Sequence, residues 1–395
     1  VHRMVLKAFK LRIYPNQQQQ DYLARAFGHT RWVWNQMLMM LLARRENLPK
    51  QWYLNNFALN YLLTRLKAET PWLREVDATM LINATRDLHD GFTRWFKHQN
   101  QMPKKKVRRW AQSATSNAVN GNIKILDDHH LQVPRMGVVY FRAGRLPAGK
   151  VKQLTLRQNA AGQYYVAVLC ECENQTLPKT GKVVGGDLGL KALLNLSDGQ
   201  IEPLFRYDKR LSKQLHEWEK KMARRRIGAK KAIARDKHEH PGNVRTLADF
   251  ANYQKARRKV AAIKAHIANQ RADQLQKYTT WLVRAYDLIV LEDLNVKGLL
   301  KNHKLARAIS NASWGKLVTM IQYKCAWYGK QLILVPPAYT SQECAVCHAR
   351  NHRLGLSKGQ WLKVREWDCP NCGAHLDRDV NAAQNILSKG LKQSA

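Results

Sequence analysis

The chain has 395 residues, enough for two or three domains with a sizeable core. A hydrophobic share of 45% excludes a disordered tail, and no apolar run approaches the roughly 18 residues of a membrane-spanning helix. Against 29 Asp and Glu stand 67 Lys and Arg, a net charge of +38; self-repulsion on that scale destabilises a compact state unless a polyanion neutralises it, which makes nucleic acid the expected partner and an anionic membrane surface the alternative.

The opening Val1-His2-Arg3-Met4-Val5-Leu6-Lys7 lacks the apolar core of a secretory signal. From Val5 to Tyr14 apolar residues roughly alternate with Lys7, Lys10 and Arg12, a basic-faced strand that Pro15-Asn16 ends. Helical spacing follows from Gln17 to about Lys67, breaks at Pro71-Trp72-Leu73 and resumes from Asp77 to His98. The aromatics of this segment fit a helical core, with a few available to stack on bases. Gln101 to Trp110 carries Lys104, Lys105 and Lys106, followed by Arg108 and Arg109. Such a run reads either as a solvated loop or as a phosphate contact.

Between Asn122 and Glu173 the pattern turns to short strands: Ile123–Leu126, Leu131–Val133, Val138–Phe141, Val151–Leu156 and Tyr164–Cys170. Turn signals at Asp127-Asp128, Pro147-Ala148-Gly149 and Asn159–Gly162 separate them. This predicts a small barrel, completed by the first strand of the chain, with the helical segment inserted between barrel strands.

Leu177–Gly181 reads as a linker. Beyond it an apolar strand, Val183-Val184-Gly185-Gly186-Asp187, is followed by a returning strand. Glycines beside an acid let substrate or metal approach the backbone closely, although Asp187 taken alone reads better as a turn aspartate. Tyr207 to Val283 is a long helical region divided at Pro241-Gly242. Lys220, Lys221, Arg224, Arg225, Arg226, Lys230, Lys231 and Arg235 crowd its first half, either as a solvated helix face or as a rail for a nucleic-acid backbone. Tyr286–Asn295 contains a continuous apolar run ending in Glu292, the signature of a central strand covered on both faces. Glu292 then lies at a strand's carboxyl end, where open α/β sheets place their sites, or else caps the next element. An amphipathic helix from Trp314 to Gly329 and a strand from Gln331 to Val335 complete this part.

Two Cys-x-x-Cys pairs come last, Cys344/Cys347 and Cys369/Cys372, with residues 348–368 between them. The spacing fits a four-thiolate zinc ribbon; four buried or disulfide-bonded cysteines are the alternative. His348 and His375 flank the pairs as neighbours rather than ligands. The other three cysteines, Cys170, Cys172 and Cys325, are an odd remainder that suits a reducing cytosol. Asp377 and Asp379 directly precede a helix-forming run from Ala382 to Leu387. Asp187, Glu292 and Asp379 thus form a candidate acidic trio. Phosphodiester hydrolysis needs an activated water and a neutralised leaving oxygen, and two divalent cations held by carboxylates supply both.

The chain resembles the TnpB family of insertion-sequence proteins and its relatives among the compact type V CRISPR nucleases. The resemblance rests on Lys7–Pro15, Thr30–Asn35, Gly186-Asp187-Leu188-Gly189, His266–Asp273 and Leu291-Glu292-Asp293-Leu294-Asn295. It closes with Tyr339-Thr340-Ser341-Gln342, both Cys pairs and Asp377–Ile386. It implies an RNA-guided DNA endonuclease with one RuvC-like (RNase H fold) active site. Asp187, Glu292 and Asp379 would hold magnesium (or manganese), and Cys344, Cys347, Cys369 and Cys372 would hold zinc. Asp379 is preferred to Asp377 because the family acid lies two residues before the Asn of Asn-Ala-Ala.

The implied fold is α/β and multidomain. Residues 1–15 and 116–180 form a β-barrel wedge domain, with a helical recognition domain inserted at 16–115. Residues 181–338 and 376–395 form the nuclease domain, its basic helices at about 207–283, with the zinc ribbon inserted at 339–375. The expected partners are guide RNA from the transposon end and target double-stranded DNA, with one chain per RNA and no membrane. The expected setting is the bacterial cytoplasm, nucleoid-associated through DNA. Base pairing would read the target and protein contacts a short flanking motif, cleavage promoting retention of the element. Relatives that have lost the acids act as RNA-guided repressors, the alternative function; all three acids are present here.

Overall fold

A computed structural model describes residues 2–109 and 112–394; Trp110, at the end of the basic run, lies outside the described residues, as do Val1, Ala111 and Ala395. The chain divides into two compact units: Met4–Glu173 together with Ala248–Ala262, and a second built from Asn174–Leu247 and the chain from Ile263 on.

The first unit opens with β1 (His2–Ile13), followed by three helices, α1 (Gln17–Asn47), α2 (Asn56–Glu69) and α3 (Ala78–Phe96). A capping box starts α1: the Asn16 side chain accepts from the Gln19 amide, and the Gln19 side chain accepts from the Asn16 amide. Six strands follow: β2 (Ser113–Asn117), β3 (Lys124–Ile125), β4 (His130–Val133), β5 (Gly137–Arg142), β6 (Lys150–Gln158) and β7 (Tyr164–Gln175). They join β1 in one seven-stranded sheet of order β2-β6-β7-β1-β5-β4-β3. The first strand of the chain lies inside that sheet, so the helices interrupt it in the chain. β2 is a difference from the strand pattern of the sequence. Ser-Ala-Thr-Ser-Asn has no apolar run, but it is an edge strand against β6, and Asn83 of α3 donates to Thr115 O at 2.8 Å. Leu11, Phe27, Leu38, Phe92 and Phe141 lie in the core of this unit.

The second unit is a five-stranded sheet of order β10-β9-β8-β11-β12. Its strands are β8 (Val183–Leu188), β9 (Ala192–Leu196), β10 (Ile201–Pro203), β11 (Leu288–Glu292) and β12 (Gln331–Val335). β8, β11 and β12 run parallel; β9 pairs antiparallel with β8, and β10 antiparallel with β9. All five residues of β11 are buried, which accounts for its unbroken apolar sequence. Two long basic helices, α4 (Ser212–Glu239) and α5 (Ala251–Ala285), lie between β10 and β11 in the chain, and α6 (Trp314–Tyr328) leads to β12. A small hairpin, β13 (Glu366–Asp368) and β14 (His375–Asp377), runs straight into α7 (Arg378–Ser394). Two glycines let α7 lie close on the sheet. A Cβ on Gly185 would sit 2.1 Å from Ala383 O, and one on Gly390 would sit 2.5 Å from Val290. No described helix is long and apolar enough to cross a membrane.

Candidate functional site

The parallel register of β8 and β11 runs from Leu288↔Val183 to Leu291↔Gly186. The next residue of each strand is an acid, so Asp187 and Glu292 leave the sheet side by side at its carboxyl edge. α7 brings the third. Asp377 caps that helix, its Oδ1 accepting from the amides of Asp379 at 2.9 Å and Val380 at 2.8 Å. Asp379, one turn before the Ala383 contact with β8, is thereby held at the same edge.

Asp187 feels both of the other acids. Burial, then the charges of Glu292 and Asp379, push the Asp187 carboxyl up to about 7. Burial also raises Glu292, which is 7% exposed and whose Oε1 accepts from Thr340 Oγ1 at 2.6 Å. Asp379 is compensated differently: Arg378 Nη2 donates to its Oδ1 at 2.7 Å and Arg365 Nη1 to its Oδ2 at 3.0 Å. Among the described residues, the cysteines alone form a group of three or more ligand-type side chains with donor atoms within 4.8 Å of one another. The acids share a neighbourhood without closing that far.

The four cysteines do close. Cys344 and Cys372 Sγ are 3.7 Å apart, Cys347 and Cys369 Sγ 3.6 Å. A tetrahedral ion with metal–sulfur bonds of about 2.3 Å sets sulfur–sulfur edges of about 3.8 Å. A disulfide would bring two sulfurs to about 2.05 Å, and all seven cysteines are free thiols. Each pair sits in the same knuckle. Cys344 N donates to Ala349 O and His348 N to Cys344 O; Cys369 N donates to Ala374 O and Gly373 N to Cys369 O. His348 and Gly373, each one residue past its second cysteine, take left-handed φ values of 60° and 69°. The histidines face acids rather than the sulfurs, His375 Nδ1 lying 2.7 Å from Asp368 Oδ1 and His348 Nδ1 3.6 Å from Glu343.

Knuckle and acids are one hydrogen-bonded assembly. Buried Asn381 of α7 accepts from Ala345 N and donates to Glu343 O, both at 2.8 Å. Buried Asn385 donates to Thr340 O at 2.9 Å and Glu343 O at 2.6 Å, and Thr340 in turn holds Glu292. Thr340, Arg365, Arg378, Asn381 and Asn385 carry no signal of these roles in composition or spacing.

The basic residues separate by environment. Lys104 and Lys105 are exposed. Lys106 is pinned, its backbone exchanging hydrogen bonds with the Asn35 side chain at 2.7 and 2.9 Å and its Nζ lying 3.6 Å from the Trp34 ring centre. On α4, Arg224, Arg226, Lys230 and Lys231 are exposed and Arg225 is half-buried.

Three family descriptions match the chain: "Helix-turn-helix domain" at residues 4–47, "Probable transposase" at 167–303, and "Cas12f1-like, TNB domain" at 314–386. A Streptomyces pristinaespiralis protein named "Putative RNA-guided DNA endonuclease" is 34% identical, covering 100% of this chain and 91% of that protein. "Putative RNA-guided DNA endonuclease InsQ" of Escherichia coli is 29% identical over 98% of this chain and 92% of its own length. Among solved structures, the protein of a Cas12f1-sgRNA-target DNA complex aligns with a TM-score of 0.56 at 13% identity. The alignment covers 97% of this chain and 98% of that one, a likeness of fold.

Proposed function

The chain belongs to the TnpB family, and from that premise we propose that it is an RNA-guided DNA endonuclease of an insertion sequence. It binds RNA from the transposon end, pairs that guide with double-stranded DNA beside a short flanking motif, and hydrolyses phosphodiester bonds. The observation that carries the reading is the meeting of Asp187, Glu292 and Asp379 at one sheet edge from three distant stretches of chain. In this reading the five-stranded sheet with α7 is the RuvC-like nuclease domain, and residues 339–375 are its inserted zinc ribbon. The seven-stranded sheet is the barrel-like wedge domain, into which the recognition helices are inserted.

The donor sets suit two kinds of metal. Four thiolates at tetrahedral edge lengths fit zinc, and three carboxylates fit magnesium or manganese. The divalent cations, when bound, supply Lewis acidity and charge neutralisation at the phosphate. The chain's own part is to hold Glu292 through Thr340, set Asp379 at the mouth of α7, and keep Asp187 among acids so that a cation outcompetes its proton. The exposed cations of α4, Arg224, Arg226, Lys230 and Lys231, with Lys104 and Lys105, would track phosphates.

One observation favours the second reading, a guided repressor that binds without cutting: the Asp379 oxygens are taken by Arg365 and Arg378. Purification with co-expressed transposon-end RNA, followed by incubation with matched DNA and magnesium, separates the two. The parent should cut, and Asp187→Ala should bind the same DNA while cutting on the order of a thousand-fold more slowly. Equal cutting by Asp187→Ala would refute the site assignment. Binding by the parent without any cutting would select the repressor.

A further inference from the structure

Away from the acids and the cysteines, a cavity of about 500 Å³ opens between the β9–β10 hairpin and the second half of α5. That is within the usual range for small-molecule sites, about 300–1,000 Å³. Its walls are aromatic. Tyr278 and Trp281 stack with ring centres 5.6 Å apart at 24°, and Tyr207 contributes to the lining. Trp281 remains 40% exposed, offering an open plate.

Among the described residues, one polar atom lining this cavity and one sealed behind its wall lack partners. Tyr278 is only 8% exposed, yet its hydroxyl has no hydrogen bond. Glu202 takes the Gln274 amide on Oε1 at 2.9 Å, and no bond is made to its Oε2. The two are close enough for the Glu202 charge to act on the Tyr278 hydroxyl. A carboxylate oxygen left open beside stacked aromatics describes a site for a flat heteroaromatic ring that brings hydrogen-bond donors.

We propose that this cavity holds an unpaired guanine base, stacked on Trp281 and read by Glu202. A carboxylate accepts two hydrogen bonds side by side. Of the four bases, guanine alone sets two donors, N1–H and the N2 amine, next to each other on one edge. Adenine and cytosine offer one amine, and uracil one imino group flanked by acceptors that a carboxylate repels. The base comes either from an extrahelical guanosine of the bound RNA or from a free guanine nucleotide. The RNA source rests on the guide-RNA reading; the nucleotide source does not.

Calorimetric titration of the RNA-free full-length chain with GMP, AMP, CMP and UMP tests the pocket. GMP should bind at least about ten-fold more tightly than the others, Glu202→Gln should erase the preference, and Trp281→Ala should weaken all binding. Ultraviolet crosslinking of the protein purified with its RNA then assigns the source. A guanosine crosslinked near Trp281, and lost in Glu202→Gln, identifies the RNA, whereas GMP preference without that crosslink identifies a free nucleotide. Equal binding of the four nucleotides with no crosslinked guanosine overturns the proposal. Asp187→Ala, which leaves this cavity untouched, should keep the GMP preference while losing DNA cleavage, so the two readings fail independently.

Discussion

Arg365 Nη1 lies 3.0 Å from Asp379 Oδ2, so the residue offered as a metal ligand is held by a cation of the chain itself. Arg378 takes the other oxygen, is buried, and is anchored through Nη1 to Trp361 O at 3.0 Å. Arg365 is the more releasable partner, its side chain 39% exposed against 11% for Arg378. A metal ion and Arg365 therefore compete for the same carboxylate oxygen. Arg365→Ala should tighten magnesium binding by roughly two- to five-fold, the scale of a partly exposed ion pair. Isothermal titration with magnesium measures this; unchanged or weaker affinity in the variant would mean that Arg365 does not compete.

Proton and cation also compete at Asp187. Burial and two neighbouring acids hold its carboxyl up to about 7, so without metal it keeps its proton below neutrality and loses it above. Metal binding needs the ionised form. Passing from pH 8 to pH 6 takes the ionised share from most of the population to about a tenth, and magnesium affinity should fall about ten-fold. Asp187→Asn should abolish that pH dependence along with most of the affinity. A parent whose magnesium affinity is flat between pH 6 and pH 8 would contradict the crowding of the three acids.

The strand that ends in Glu292 was legible because five consecutive buried positions leave an unbroken apolar run. The strand of Asp187 was legible too, but the acid on it read better as a turn residue, and its two glycines show why. Gly185 admits α7, and a Cβ on Gly186 would meet Leu291 and Leu194 below 3 Å, so residues that resemble a turn in sequence are demanded by packing on both sides. Ser113–Asn117 left no pattern at all, being an edge strand held by Asn83 and by its pairing with β6. Lys106 stands in a charge run, but only the fold brings Trp34 and Asn35 against it. The cysteines were readable because metal ligation fixes spacing along the chain. Thr340 and Arg365 were not, since hydrogen bonds across the fold impose no spacing.

Lys324 of α6 is buried with only uncharged partners: Nζ donates to Gln276 O at 2.8 Å and to Thr279 and Thr280 Oγ1, each at 2.7 Å. Burial lowers its pKa from 10.5 to about 8. Below pH 8 both folded and unfolded chains hold the proton, and the fold bears the cost of a desolvated charge. Between about 8 and 10.5 the unfolded chain holds more protons, so this residue makes stability rise with pH, by up to about 3 kcal/mol. Lys324→Met should melt at a higher temperature at pH 7, with the gap narrowing toward pH 10. Two melting curves that stay parallel from pH 7 to pH 10 would remove Lys324 from the account.

Metal in the knuckles should matter well beyond them. Cys369 is buried beside Trp361 and Trp367, and its loss leaves three thiols where a tetrahedral ion needs four. Cys369→Ser should cost the protein most of its zinc, measured by metal analysis of the purified chain. The first knuckle is tied to α7 through Asn381 and Asn385, and Thr340 of the same stretch holds Glu292. A slackened knuckle therefore loosens two of the three acids, as when an outer-shell partner of a metal site is lost, and cleavage should drop about ten- to a hundred-fold. RNA binding, which the proposed function draws from none of these contacts, should persist. A Cys369→Ser protein with full zinc content and full cleavage would show that the cysteines neither hold the ion nor brace the acids.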